Sequence, residues 1–505
     1  MTGLALLGLV MLVVMIGAIF IGFPISFTLL FLALTFGYFG LGEVVFSLAY
    51  FQTIGMMKEE LLAAVPLFIF MGFLTEQAGL MERLFRAFRD LLAPIRGSLF
   101  AVVILTAAVF AMATGIVGAA VTVLGIMASP IMVKTGYDGR LAAGAITAGG
   151  TLGILIPPSV MLIVMGPVLG VSVAELYASA FGPGFLLAAM YLAYLLGRAF
   201  INPKLGPPVP KEERVHSVAV ILKEVAFGVL PLLGLIAATL GSILAGLATP
   251  TEASAIGALG AFMLAAAYGK LTYAGVKQAV LSTTATASMV LLLAVTSNIF
   301  GAVFARLGTA NWITETMLAL PLPPVAMLIT VLVLIFLLGW PFEWPAIILV
   351  FLPIFYPVMD ALKPALGTAL GIPTDLVMVW FGALVAVTLQ TAFLSPPVAM
   401  SAYYLRQVVK EWSLATIYKG MFEFMILQVI AIALMVIFPA IATKLPDELR
   451  QEAAAIETEE VDDSMNKLEA DPGDQMKEGY EEAEEEKGEG DPLEQDDLSK
   501  AGKKK

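Results

Sequence analysis

The 505-residue sequence contains no cysteine and one histidine, His216. Without cysteine there are no disulfides, no thiolate metal ligands and no thiol nucleophile. A single histidine in a polar stretch leaves no material for an imidazole-based catalytic centre. Charge is scarce too, with Asp, Glu, Lys and Arg at 13% of the chain. No glycine cluster is followed by Gly-Lys-Ser/Thr, so no phosphate loop for ATP hydrolysis is present. No nucleophile–base pair falls within the apolar runs, and the chain does not read as an enzyme.

What the sequence has in quantity is apolar surface, at 59% hydrophobic residues. The core of a soluble protein does not grow that fast with length. Repeated uncharged runs of about 20 residues or more point to an all-α polytopic membrane protein. No basic stretch precedes Leu4, so the first apolar run, residues 4–23, reads as a membrane helix rather than a cleaved leader. The net charge of −12 belongs to the end of the chain. From Asp447 to Lys505 there are 22 acids and 8 bases, leaving 18 acids and 20 bases elsewhere. Residues 446–505 are expected to be a disordered acidic tail, since they cannot bury enough surface to fold alone.

Basic residues give the sidedness, because Lys and Arg collect in cytoplasmic loops. Six of them (Arg83, Arg86, Arg89, Arg96, Lys134 and Arg140) flank residues 98–132, which carry no charge. Both ends therefore prefer the cytoplasm, and "MATGIVGAAV" in the middle breaks helical character. A re-entrant hairpin fits, with a single tilted helix as the alternative. Residues 141–170 are again uncharged and hold "GGTLGILIPPSVML" near their centre, a membrane-length run interrupted midway. The first repeat, 1–202, thus comprises scaffold spans in 1–80 (4–23, 25–49, 61–79), an arm at 81–97, the hairpin, the broken helix and a return span at 177–200. A cytoplasmic linker follows at 203–216.

Residues 217–445 repeat the plan. Spans at 225–247, 253–268 and 280–304 lead to a second hairpin, 322–359, whose single charge is Glu343. A second broken helix, 376–405, holds "LQTAFLSPPVAMSAYY", and a last span covers 421–441. The proline pairs Pro157-Pro158 and Pro396-Pro397 lie 239 positions apart. Pro130 and Pro357 lie 227 apart, and the connector "DALKPALGTALGIPTD" accounts for the difference. Five crossings per half is an odd number, so the second half must be inverted; only Arg306 and Lys363 flank its hairpin as bases. An inverted-topology repeat with two re-entrant hairpins and two broken helices is the architecture of secondary transporters.

A helix broken at bilayer depth exposes carbonyls and amides, which only protein, ions or water can satisfy there. Carbonyl ends suit Na⁺ and amide ends suit carboxylates. Nearby hydroxyls (Thr114, Thr147, Thr151 and Ser159, then Thr388, Thr391, Ser395 and Ser401) can complete an oxygen shell for a hard cation. Glu343, an acid at depth, is either functional or a shaper of the hairpin tip through neighbouring amides. Glu252 in "ATPTEAS" reads as an interfacial N-cap-type residue.

The run "GAAVTVLGIMASPIMVKTGYDGRLAAGAITAGGTLGILIPPSVMLIVMG" closely resembles the large membrane subunit of tripartite ATP-independent periplasmic (TRAP) transporters. "PAIILVFLPIFYPV" and "LSPPVAMSAYYL" resemble its second half, and the likeness covers roughly residues 1–445. The resemblance implies a multi-pass protein of the bacterial inner membrane with an elevator-type fold. It would import an organic acid anion with Na⁺ as coupling ion, and no nucleic acid is involved. A periplasmic substrate-binding protein would deliver the solute and a small four-helix membrane subunit would brace the scaffold.

By the same resemblance one Na⁺ site involves Thr114, Gly115, Gly153, Ile156 and Pro158. The second involves Gly339, Glu343, Thr391, Ser395 and Pro397. Thr151, Ser159, Gln390 and Ser401 are the candidate solute contacts. The chain departs from the commoner pattern at the first tip, "ATGIVGAA", where Ser-Gly-Ser-Ser is frequent. It departs again at "TLQTA" (388–392), where Asn-Leu-Glu-x-Gly is frequent. Fewer hydroxyls imply more backbone ligation at the first tip, and a solute subgroup away from the best-known C4-dicarboxylate members. The alternatives are a stand-alone Na⁺/anion symporter of the same fold, a channel and an intramembrane enzyme.

Overall fold

The computed structural model describes residues 3–115, 117–209, 214, 217–396 and 399–470. Lys211, His216, Pro397 and the tail beyond 470 lie outside these. The described residues form helices and connecting turns without a strand, and ten of the helices are long and apolar enough to cross a membrane. Met1–Pro446 make one compact unit.

The first half opens with α1 (Gly3–Ile21), α2 (Ile25–Leu41) and α3 (Val44–Met57). The span expected over 25–49 is therefore two helices: Gly42 takes φ 68°, a left-handed turn that ends α2. A 3₁₀ turn at Glu60–Ala63 leads into α4 (Ala64–Gln77). The arm, α5 (Leu80–Leu92), buries Leu80, Met81, Leu84, Phe85 and Ala87 along one face and leaves Arg86 exposed on the other.

α6 (Ser98–Thr114) and α7 (Val117–Lys134) form the expected hairpin. Of the two arms, α6 (17 residues) is about 25 Å long at 1.5 Å per residue, short of a full crossing of about 30 Å. Their outer ends meet: the Leu99 amide donates to the Tyr137 hydroxyl at 3.2 Å, and the Phe100 and Tyr137 rings lie 4.8 Å apart. Gly115 makes the turn at φ 60°. α8 (Gly139–Thr151) starts behind Asp138, whose carboxylate caps Arg140 N and Leu141 N. It stops at a 3₁₀ turn (Leu152–Ile154), and the chain resumes as α9 (Val160–Leu169) and α10 (Val173–Ile201). The linker after α10 is strapped to the hairpin base, with Gly97 N donating to Gly206 O at 2.9 Å and Asp138 N to Leu205 O at 3.0 Å. Arg96, Arg140 and Lys204 therefore share one end of the protein, as the positive-inside assignment requires. A Lys204→Cys variant should accordingly react with an impermeant thiol reagent from the cytoplasmic side only; labelling from the periplasm would reverse the orientation.

The second half follows the same order. α11 (Val218–Ile236) continues through a π-turn (Ala237–Gly241) into the short α12 (Ser242–Leu244). α13 (Pro250–Ala267) opens on a capping box in which Thr249 is the N-cap and Glu252, expected in an N-cap-type role, takes the N3 position, each bonding the other's backbone amide. α14 (Tyr273–Arg306) packs against α2, α3 and α4, and α15 (Thr309–Leu318) follows it. The second hairpin is α16 (Pro324–Leu338), a tip through Glu343, then α17 (Trp344–Ala346), a π-turn (Ile347–Phe351) and α18 (Leu352–Leu370). The connector expected after 359 is thus the last part of α18. Its Ala and Leu residues favour helix, and Gly371 at φ 68° stops it. α19 (Val377–Leu394) and α20 (Met400–Val408) form the second broken helix, and α21 (Leu414–Ile437) the last span. α22 (Ala440–Ala470) follows; its residues 447–470 are an Ala- and Glu-rich run of strong helix formers, and the rest of the expected tail lies outside the described residues.

The inversion can be read along α21. Near its start, a side-chain carbon built on Gly420 would lie 2.1 Å from the Arg140 carbonyl, at the beginning of α8. Near its end, the Met435 carbonyl accepts from the Trp380 indole at 3.2 Å, at the beginning of α19. These two points are about 22 Å apart along one helix, so α8 and α19 enter from opposite ends. Glu423 fixes the first junction: Arg140 Nη1 lies 2.7 Å from its carboxylate and the Tyr194 hydroxyl donates to it, tying α8 and α10 to α21.

Candidate functional site

Both hairpin tips and both helix breaks converge at the centre of the protein. At the first, a side-chain carbon built on Gly115 would stand 3.6 Å from the Pro158 carbonyl oxygen, 3.8 Å from the Gly153 oxygen and 3.9 Å from Val160 N. The tip backbone thus faces two carbonyls from the break. Thr114 is buried and its hydroxyl donates to Phe110 O at 3.1 Å. Its carbonyl lies so close to α4 that a carbon on Gly72 would come within 2.6 Å of it, so only glycine fits there. Ile156 is wholly buried and packs against Gly184 of α10.

At the second junction Gly339 ends α16 against α19, where an added carbon would meet Ala392 Cβ at 2.9 Å. Thr391 and Ser395 are buried. The Thr391 hydroxyl donates to Thr388 O at 2.6 Å and that of Ser395 to Thr391 O. Each donates its one proton and keeps lone pairs with which to meet a cation. Glu343 is exposed and stands at the N-cap of α17 without a side-chain bond to that helix. Pro397 lies outside the described residues.

Between the two junctions is a cavity of about 160 Å³. Gly115, Val117, Ile154 and Val160 line it from the first half, and Phe342, Glu343, Trp344, Phe393 and Tyr404 from the second. Thr286, Met289 and Val290 of α14 close its side. Of the residues expected from the sequence, Gly115 and Glu343 reach this cavity. The four expected solute contacts are not among its lining residues and are turned into the protein. Thr151 donates to Ala148 O, Ser159 to Ile154 O and Gln390 to Thr151 O, while the Ser401 hydroxyl is buried without a partner among the described residues. The aromatic residues went unassigned, although "GWPFEWPA" and "SAYY" carry them beside the interruptions.

Paired hairpins, paired broken helices of opposite sense and a shared central cavity define a membrane transporter permease. The chain belongs to the DctM component family of tripartite ATP-independent periplasmic transporters, whose sequence profile matches residues 12–441. It is 29% identical over 439 residues to the sialic acid TRAP transporter large permease protein SiaM of Vibrio cholerae, spanning 86% of this chain and 96% of that relative. It is 27% identical over 443 residues to the C4-dicarboxylate TRAP transporter large permease protein DctM of Rhodobacter capsulatus, spanning 85% and 96%. Among solved structures, the YdaH transporter of Alcanivorax borkumensis superposes with a TM-score of 0.55 over 80% of this chain and 90% of that one. At 16% identity that likeness concerns the fold alone. The protein is thus the large permease subunit of a secondary transporter, integral to the inner membrane, and not an enzyme. Members of this family are components of tripartite periplasmic transporters.

Proposed function

We propose that this permease imports an organic acid anion coupled to Na⁺, with the hairpins and broken helices moving as an elevator against the remaining helices. The observation that carries this reading is the convergence of the Gly153 and Pro158 carbonyls on Gly115 beside the central cavity. Carbonyl oxygens gathered at a helix break, away from water, are ligands for a hard monovalent cation. Gly115, Gly153 and Pro158 would hold one Na⁺ through backbone oxygens, with Thr114 and Ile156 framing it. Thr391, Ser395, Gly339, Glu343 and Pro397 would hold the second. The names of the relatives, which include a sialic acid and a C4-dicarboxylate permease, support an acid as solute. A periplasmic binding protein would deliver it, and a four-helix small subunit would brace the static helices.

Proteoliposomes holding the permease with its small subunit, supplied with binding protein and a panel of organic acids, test this directly. Uptake should follow an imposed Na⁺ gradient; uptake indifferent to Na⁺ would defeat the coupling. Thr391→Val keeps the shape and removes the oxygen, and should raise the Na⁺ concentration for half-maximal uptake about tenfold, the loss of about 1.4 kcal/mol. An unchanged Na⁺ requirement would move the second site elsewhere.

A further inference from the structure

The two broken helices touch each other through one side chain. Gln390 is buried inside α19 with no exposed surface, and its Nε2 donates to the Thr151 carbonyl at 3.2 Å. Thr151 is the last residue of α8 and the one that opens the 3₁₀ turn of the first break. The two positions are 239 apart, the same spacing as the two proline pairs. They are therefore equivalent positions of the two repeats, and equivalent positions can touch only at the pseudo-two-fold axis that relates the halves.

The orientation of the amide is dictated by its partners. A carbonyl can only accept, so the nitrogen must face Thr151. The Gln390 oxygen then faces Gln428 of α21, whose Nε2 approaches it at 3.5 Å. Gln428 is itself fully buried, on the helix that spans the entry points of α8 and α19. Thr391, the next residue, belongs to the second proposed Na⁺ site, and Gly153, two residues past Thr151, to the first.

We propose that Gln390 is the positioning residue that couples the two half-sites, so that an ion ordering one break also orders the other. An ion at Gly153 and Pro158 fixes the first break and with it the Thr151 carbonyl. That carbonyl holds the Gln390 amide, and Gln390 fixes the turn of α19 that carries Thr391. The reverse path acts equally, because coupling between two sites is reciprocal. The inference rests on the Na⁺ reading above.

The test uses the purified full chain with its small subunit, and Na⁺ alone as probe. The melting midpoint is followed as NaCl replaces choline chloride at constant ionic strength. Wild type should respond to Na⁺ with a Hill coefficient above one. Gln390→Leu removes donor and acceptor at similar size. Its Na⁺ response should become non-cooperative, with the midpoint concentration raised about tenfold, a usual size for coupling between sites. Gln428→Leu leaves the Gln390–Thr151 bond in place and should move both quantities the same way by less. It decides the matter if Gln390→Leu does not fold. Cooperativity retained in the variants, beside a cooperative wild type, would overturn this inference alone. A wild type indifferent to Na⁺ would overturn the sodium reading and this coupling with it.

Discussion

Gly115→Val should insert into the membrane and purify with its small subunit, yet lose Na⁺-driven uptake by about 100-fold or more. Two effects act at this position. The backbone sits at φ 60°, where a residue with a Cβ costs about 1–2 kcal/mol. That strain is small enough for a large buried protein to survive. The second effect is local and larger for function. The new side chain would stand where the Gly153 and Pro158 carbonyls converge, 3.8 and 3.6 Å from its first carbon. Its methyl groups would hold those oxygens away from any ion between them. Losing two charge–dipole contacts of about 1.5 kcal/mol each lowers ion affinity by about 100-fold. Gly115→Ala adds a single carbon at near van der Waals distance and should fall between the two. Wild-type uptake by the valine variant would show that the tip and the break do not share an ion.

Much of this arrangement is legible in the sequence because it is carried by long-range periodicity and by charge. The 239-residue offset of the proline pairs marks equivalent positions, and the Gln390–Thr151 bond spans the same offset in space. The six bases around the first hairpin fix its side, and the linker strapped to Gly97 and Asp138 puts them there. Less was legible where an apolar run hides a turn. Residues 25–49 read as one span because a left-handed glycine such as Gly42 looks like any other in a membrane helix. The surroundings of the candidate solute contacts were the least legible. Thr151, Ser159 and Gln390 are polar and lie beside the breaks, but the carbonyls that the breaks expose are nearer to them than the cavity is. Their side chains bond to the backbone, and Phe342, Trp344, Phe393 and Tyr404 are among the residues that line the cavity. Gly72 and Gly420 were likewise invisible, since one glycine in a helix has no pattern until its neighbour is known.

Gly420→Ala, at the one glycine of α21, should be a strongly damaging single-carbon change. The added carbon would come 2.1 Å from the Arg140 carbonyl oxygen and 2.9 Å from Gly144 N. Both are backbone atoms of α8, so no side chain can rotate away; the two helices must separate. Separation weakens the Arg140–Glu423 ion pair across the same junction, which stands at 2.7 Å. It also shifts Phe424, whose ring fills the space above Gly144. Overpacking of this kind costs about 3 kcal/mol, and here it acts on the helix that carries the first break. The expected result is a clearly lower melting midpoint in detergent together with weakened uptake. Gly234 provides the contrast: it lies inside α11 with nothing within 4 Å of an added carbon. Gly234→Ala should leave stability unchanged or raise it by up to about 1 kcal/mol through helix propensity. If Gly420→Ala melts with the wild type, α8 and α21 are not in backbone contact. The opposed entry of the two broken helices would then lose its geometric basis.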